Sequence, residues 1–157
     1  MKKKKLIFRV VLLVAWMCVI FMFSMQNGQE SSSTSGKVIE LLGTILHMDL
    51  THSTFITTIS FIVRKCAHMF SYFVLGILAY RTVVLIRKDR VYLYSGFITV
   101  LYALSDEFHQ LFIPGRTGRL KDVCIDSIGM LIGFLCIYIF NKIKGGKYER
   151  VYRTKND

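Results

Sequence analysis

The sequence predicts an all-α integral membrane protein, a four-helix bundle with amphipathic outer-face helices between helices one and two. Three observations lead to this fold class. The 157 residues are 53% hydrophobic with a mean hydropathy of +0.45, which is high for a soluble domain. The apolar residues form four runs of about 20 residues, the length that a helix needs to cross a bilayer. The net charge of +11 comes mainly from Lys and Arg that flank these runs.

The four predicted spans cover about residues 6–25, 66–86, 91–113 and 123–143. Arg9 interrupts the first span, and acidic residues and a histidine interrupt the third near its C-terminal end. The runs do not alternate polar and apolar residues, which excludes the strands of a membrane barrel. The first run is longer than the apolar core of a signal peptide, and no small-x-small motif follows it. We therefore interpret it as an uncleaved anchor.

The segment between the first and second spans is predicted to lie on the outer membrane face. Its first residues, from Gln26 to Gly36, are rich in Ser and Gly and predict a loop. Apolar residues then recur at helical spacing, from Val38 onward and again at Phe55, Ile59 and Ile62. These patterns predict two amphipathic helices. The spacing leaves open whether the second helix continues into the second span.

Basic residues predict the orientation of the chain in the membrane. They are concentrated in residues 2–9, 81–90 and 142–155, which all fall on one side of a four-span protein. The positive-inside rule makes that side cytoplasmic, so both termini are expected in the cytoplasm. Residues 1–145 are then a multi-pass membrane domain, and residues 146–157 are a basic cytoplasmic tail.

A second set of polar residues lies at the outer end of the second, third and fourth spans. A charged group in the middle of a bilayer costs about 2.5–3.5 kcal/mol, so several at one end predict a site. Two structural explanations stay open: buried ion pairs that fix helix register, and Asp122 as a cap at the N-terminus of the fourth span. The candidate ligand-binding residues are Arg64, Lys65, His68, Tyr72, Asp106, Glu107, His109, Gln110, Arg116, Asp122 and Asp126.

Helical spacing gathers these candidates on common faces. Arg64, His68 and Tyr72 are four residues apart and share a stripe. In the third span, Asp106, His109, Gln110 and Ile113 share a stripe, and Glu107 lies about 100° around the helix. In the fourth, Asp122 and Asp126 are in line with Gly129 and Gly133, a small-xxx-small pair that allows close helix contact in lipid. This stripe is therefore predicted to face the bundle interior.

Several short motifs occur in one order along the chain, and together they resemble the VanZ-like family of bacterial membrane proteins over about residues 6–143. The resemblance implies a protein of the bacterial cell membrane with no settled enzymatic activity. Through the founding member of the family it implies a contribution to resistance against teicoplanin and related lipoglycopeptides. The matching pieces are Phe23-Ser24-x-Gln26, Arg64-Lys65-x-Ala67-His68 with Tyr72, Leu75 and Gly76, Asp106-Glu107-x-His109-Gln110, Pro114-Gly115-Arg116, Asp122, Asp126, Gly129 and Gly133.

The first functional interpretation is a binding or modulating membrane protein. Arg64, Lys65, Arg116 and Arg119 rim the outer polar end, and the guanidinium fork of arginine suits phosphate oxygens. We therefore expect a membrane lipid or a lipid-linked cell-wall precursor as the partner. Nucleic acid is not expected, because a basic nucleic-acid-binding domain would not have apolar runs of this length. A homodimer stays open.

The alternative is a metal-dependent membrane enzyme that hydrolyses or transfers a lipid phosphate. His68, Asp106 and His109 are the catalytic candidates in that case. The sequence has no His-Glu-x-x-His or comparable motif, so it predicts no metal site and no cofactor. A proton-coupled transporter is a third interpretation, but its acids would be expected near the bilayer midplane and not at one end.

Overall fold

The computed structural model describes residues 2–46 and 53–153. Within these ranges the chain is helical throughout, with no strands. In order, α1 covers Lys2–Ser24, α2 Gly28–Leu46, α3 Ser53–Ile86, α4 Val91–Gln110 and α5 Leu120–Arg153. The predicted all-α class is confirmed.

Three of the described helices are long and apolar enough to cross a membrane: the parts Lys3–Ser24 of α1, Thr58–Ile86 of α3 and Leu120–Gly145 of α5. They correspond to the first, second and fourth predicted spans. α4 corresponds to the third, but it has 20 residues and carries Asp106 and Glu107 in its last two turns. The described helices therefore include three that could cross a membrane by length and composition, and α4 is not among them.

The start of α2 corrects the prediction of a loop from Gln26 to Gly36. The helix begins at Gly28 because Asn27 and Glu30 cap it reciprocally. The Glu30 backbone N–H donates to Asn27 Oδ1 at 2.8 Å, and the Asn27 backbone N–H donates to Glu30 Oε2 at 3.1 Å. These bonds satisfy donors that a helix start leaves free, and they outweigh the low helix propensity of the Ser and Gly residues that follow.

α3 lies at the centre of the fold and contacts each of the other four helices. It is one continuous helix of 34 residues, so the second amphipathic segment and the second span are a single element about 51 Å long. The buried side chains of Tyr72, Leu75 and Ala79 pack in one core with Leu13 and Ile20 of α1. This core lies next to the polar end of the helices.

α3 and α5 approach closely through glycines. A Cβ at Gly129 would collide with the carbonyl oxygen of Met69, and one at Gly133 would lie 2.7 Å from the carbonyl oxygen of Phe73. Because both glycines are on the stripe of Asp122 and Asp126, that stripe faces α3. The predicted close packing is confirmed.

The outward surfaces of the helices are apolar. Phe8, Met22, Phe97 and Ile143 are each more than half exposed, and they belong to three different helices. An apolar surface of this extent is unstable in water but suits hydrocarbon.

The helix α5 continues through Arg153, so the described part of the predicted tail is helical.

Candidate functional site

The connection between α4 and α5 is fastened to the corner between α1 and α2. Pro114 lies in the connection that follows α4. Its carbonyl accepts a hydrogen bond from the Gly28 backbone N–H at 3.1 Å. Arg116 Nε donates to the carbonyl of Gln26 at 3.0 Å, and Arg116 Nη2 to that of Phe23 at 3.4 Å. Arg116 thus occupies carbonyls that the end of α1 leaves without helical partners.

Two glycines make this connection possible, one through its positive φ and the other through its lack of a side chain. Gly115 has a φ of 74°, in the left-handed region where a side chain is strained. Gly118 has no room for a Cβ, which would collide with the carbonyl oxygen of Glu107. The loop can therefore fold back against α4 and bring its basic residues over the helix ends.

Lys65 of α3 and Asp122 of α5 form a salt bridge at the rim of the polar end of the helices. Nζ and Oδ1 are 2.5 Å apart, and the side chains are 21% and 14% exposed. Glu107 of α4 is also partnered, because its Oε2 accepts a hydrogen bond from the Arg119 backbone N–H at 2.8 Å. Glu107 and Arg116 are not bonded to each other, since each has other partners.

Asp106 and His109 face α1. Gln110 Nε2 donates to Asp106 Oδ2 at 3.3 Å and to Ser24 Oγ at 3.0 Å, which links α4 to the end of α1. The His109 ring lies 4.7 Å from the Phe21 ring, centroid to centroid. The shared stripe of Asp106, His109 and Gln110 is therefore directed at α1, while Glu107 points towards the loop.

Buried polar atoms without a hydrogen-bond partner are concentrated near this end in the described part of the chain. Asp126 is 1% exposed, and neither of its carboxylate oxygens has a partner. Tyr72 Oη and Asp106 Oδ1 are in the same condition. The His68 imidazole faces Asp126, but its Nδ1 lies 3.8 Å from Oδ1, too far for a hydrogen bond. Burying a carboxylate without a hydrogen-bond partner costs on the order of several kcal/mol. A ligand, a proton or a water molecule is therefore expected at Asp126.

A polar pocket of about 200 Å³ opens at this end. Four cationic side chains contribute to it, together with Glu107 of α4 and Asp122 of α5. The lining residues are Phe61, Arg64, Lys65, His68, Glu107, Gln110, Gly115, Arg116, Thr117, Arg119 and Asp122. Seven of these are predicted ligand-binding residues, and the other four such candidates, Tyr72, Asp106, His109 and Asp126, do not line the pocket.

Arg64 and Arg116 place two positive charges close together. Burial lowers the pKa of the Arg116 guanidinium, and the charge of Arg64 lowers it further. Arginine nevertheless stays protonated in proteins, so both groups are cationic at neutral pH. Arg64 Nη2 also donates to Ser32 Oγ at 3.3 Å. Two like charges in one pocket favour an anion between them.

An apolar groove of about 350 Å³ adjoins the polar pocket between α1, α2 and α3. Trp16, Phe23, Val38 and Phe70 are among its lining residues. Arg64, His68 and Arg116 line both spaces. The groove was not predicted from the sequence, because its α2 wall lies in the segment interpreted as a loop. The contact of Ser32 with Arg64 was missed for the same reason.

His68, Glu107 and Asp126 bring three metal-ligand atoms within 4.8 Å of one another. Each residue comes from a different helix, so no local sequence spacing could have predicted the group. It includes one of the proposed catalytic candidates, His68. Asp106 and His109, the other two, are absent from it.

A family model described as VanZ/LLP1 matches residues 8–141. No curated protein and no solved structure matches the chain.

Proposed function

The chain belongs to the VanZ/LLP1 family, and we propose that it is a four-span protein of the bacterial cell membrane that binds an anionic lipid headgroup at its outer polar pocket. The lipid is a membrane phospholipid or a lipid-linked cell-wall precursor. Through this binding the protein contributes to resistance against lipoglycopeptides of the teicoplanin type. Both termini lie in the cytoplasm.

The observation that carries the proposal is the junction of the polar pocket with the apolar groove. Arg64, His68 and Arg116 line both. An amphiphile could place its phosphate between the guanidinium groups and an acyl or prenyl chain along Trp16 and Phe23. Neither a free anion nor a purely apolar ligand would use both spaces.

The depth of the pocket agrees with this ligand. Arg64 precedes Ile86, the last residue of α3, by a helical length of about 33 Å at 1.5 Å per residue. The hydrocarbon core of a bilayer is about 30 Å thick. With Ile86 at one boundary, Arg64 lies at the other, where lipid phosphates are found.

In this proposal α4 also crosses the membrane, as the third of four spans. Its N-terminal part is apolar, and its acidic residues lie in the last two turns, at the polar end. Asp106 and Glu107 are 2% and 5% exposed, so they face protein and not lipid. Intramembrane carboxylates are normally directed in this way.

Trp16 supplies a direct test, because it is the single tryptophan of the chain and lines the groove. The protein is reconstituted in neutral bilayers that contain a small fraction of brominated phosphatidylglycerol or brominated phosphatidylcholine. Bromine quenches tryptophan fluorescence at short range. We expect stronger quenching by the anionic lipid, and loss of that preference in Arg116→Ala and Arg64→Ala.

Arg81→Ala is the matched control, since Arg81 lies at the opposite end of α3. The control variant should keep the preference. Equal quenching by both lipids in the wild type, with the protein correctly folded, would overturn the proposed lipid selectivity. Competition by undecaprenyl pyrophosphate, but not by inorganic pyrophosphate, would identify a lipid-linked precursor as the better ligand.

A metal-dependent enzyme acting on lipid phosphate is the second candidate. The cluster of His68, Glu107 and Asp126 supports it, because His68 and Glu107 also line the polar pocket. Release of phosphate from phosphatidic acid in the presence of Zn²⁺ or Mn²⁺, abolished in His68→Gln, would favour it. Lipid binding without any turnover would exclude it for that substrate.

A further inference from the structure

We infer that His68, Glu107 and Asp126 form a binding site for one divalent transition-metal ion. The inference goes beyond lipid binding, because it requires neither the lipid nor catalysis. Its basis is the convergence of three ligand groups from three helices at the inner end of the polar pocket.

The separations of the ligand atoms suit an ion. Zn²⁺ lies about 2.0–2.2 Å from its nitrogen and oxygen ligands, so two ligand atoms of one ion are at most about 4.4 Å apart. The three groups already have ligand atoms within 4.8 Å of one another. Only small side-chain adjustments are needed to bring all three to an ion.

Asp126 is the independent indication of a ligand. Its side chain is 1% exposed and both oxygens lack a hydrogen-bond partner. His68 faces it at 3.8 Å without bonding to it. A carboxylate in these surroundings is stable only with a cation, a proton or ordered water. A metal ion would satisfy Asp126 and the imidazole together.

The cations nearby do not prevent binding. Lys65 is engaged by Asp122, and Arg116 donates to two backbone carbonyls at the end of α1. Asp106 adds a further buried carboxylate close to the group. The carboxyl groups of Glu107 and Asp126 are therefore available to a divalent ion, with that of Asp106 close by.

The ligand types select the kind of metal. One imidazole with two carboxylates suits Zn²⁺ or Mn²⁺ better than Mg²⁺ or Ca²⁺, which prefer oxygen alone. Three protein ligands leave at least one coordination position open. Because His68 and Glu107 line the polar pocket, an oxygen in that pocket would be positioned to fill it.

The test is metal titration of the full-length protein, purified in detergent with a cleavable non-histidine tag and stripped with a chelator. Calorimetry with ZnCl₂ and with MnCl₂, in excess MgCl₂, should give one site per chain. Asp126→Asn and Glu107→Gln should each weaken binding by about tenfold or more. His109→Gln is the matched control, because His109 lies against Phe21 and outside the cluster.

Two further measurements keep the result decisive. The free cysteines Cys18, Cys66, Cys124 and Cys136 are exposed, so stoichiometric binding must persist when all four are replaced by Ala. Bound metal should raise the unfolding temperature of the wild type but not that of Asp126→Asn. Absence of stoichiometric metal, or equal affinity in both cluster variants and the wild type, overturns the inference. Lipid quenching measured in metal-free buffer reports separately on the proposed lipid site.

Discussion

Gly129 of α5 lies directly against the backbone carbonyl of Met69 in α3, with no space for a Cβ between them. This contact sets the distance between the two longest helices. It also fixes the register that brings Asp122 and Asp126 opposite Lys65 and His68. The polar end of the molecule thus depends on a small residue one to two turns away.

Gly129→Ala should destabilise the protein by about 1–3 kcal/mol, because the added methyl group forces the helices apart. Gly36→Ala is the matched control, since a Cβ at Gly36 meets nothing within 4 Å. There the change should be neutral or stabilising by up to about 1 kcal/mol, the helix-propensity gain of Ala over Gly. Thermal unfolding in detergent, followed by circular dichroism, measures both. Similar shifts in the two variants would contradict a tight α3–α5 contact.

The salt bridge of Lys65 and Asp122 should contribute a measurable coupling energy, because water is largely excluded from both side chains. A double-mutant cycle with Lys65→Met and Asp122→Asn should give about 0.5–3 kcal/mol. The exposed pair of Arg87 and Asp89, 3.6 Å apart, provides the comparison. Its coupling should be below about 1 kcal/mol. If the two couplings are equal, the rim pair is screened by water and does not fix the helices.

Loss of the reciprocal cap should unravel the start of α2. Asn27→Ala should reduce the local stability of the first turn by about 0.5–2 kcal/mol, the usual effect of removing an N-cap. Hydrogen exchange of the amides from Ser31 to Thr34, measured by mass spectrometry, should accelerate accordingly. Gln29→Ala, an exposed change in the same turn, should leave exchange unaltered. Unchanged exchange in Asn27→Ala would show that packing alone holds this helix.

The proposed topology places Gln29 outside and Lys88 inside the cell. In a cysteine-free background, Gln29→Cys should react with a membrane-impermeant maleimide in intact cells. Lys88→Cys, in the exposed turn between α3 and α4, should react only after permeabilisation. The opposite labelling pattern would invert the orientation, and labelling of both from outside would remove α4 as a span.

The proposed resistance role is tested in a susceptible Gram-positive strain that expresses the protein. Wild type should raise the inhibitory concentration of teicoplanin but not that of vancomycin. Asp106→Ala should abolish the effect, because it removes the acceptor that holds Gln110 and the end of α1. Arg81→Ala should retain it at the same membrane level. No change in wild type would exclude this role and leave lipid binding to be judged by quenching.

The sequence predicted the helices and their close packing well, for identifiable reasons. Gly129 and Gly133 are spaced for one face, and this local periodicity survives in the fold. The prediction of a loop at the start of α2 is wrong, because the cap formed by Asn27 and Glu30 stabilises a helix despite the Ser and Gly content. That cap was visible as Asn-x-x-Glu and was the better signal.

The candidate site was predictable as a set of residues but not as an arrangement. Periodicity separates Asp106 from Glu107 by 100°, and the structure directs the first at α1 and the second at the loop. Periodicity alone cannot tell which neighbouring element each helix face contacts. The groove beside Trp16 and the grouping of His68, Glu107 and Asp126 depend on distances between helices, which no local pattern encodes.

The hydrogen bond from the Gly28 backbone N–H to the Pro114 carbonyl determines where the chain can be engineered. Epitope tags are commonly placed in short polar connections that contain Pro and Gly, and residues 114–118 match that description. An insertion there would separate Pro114 from Gly28 and Arg116 from the carbonyls of α1. The exposed turn at residues 87–90, at the far end of the helices, is the insertion point that leaves these fastenings intact.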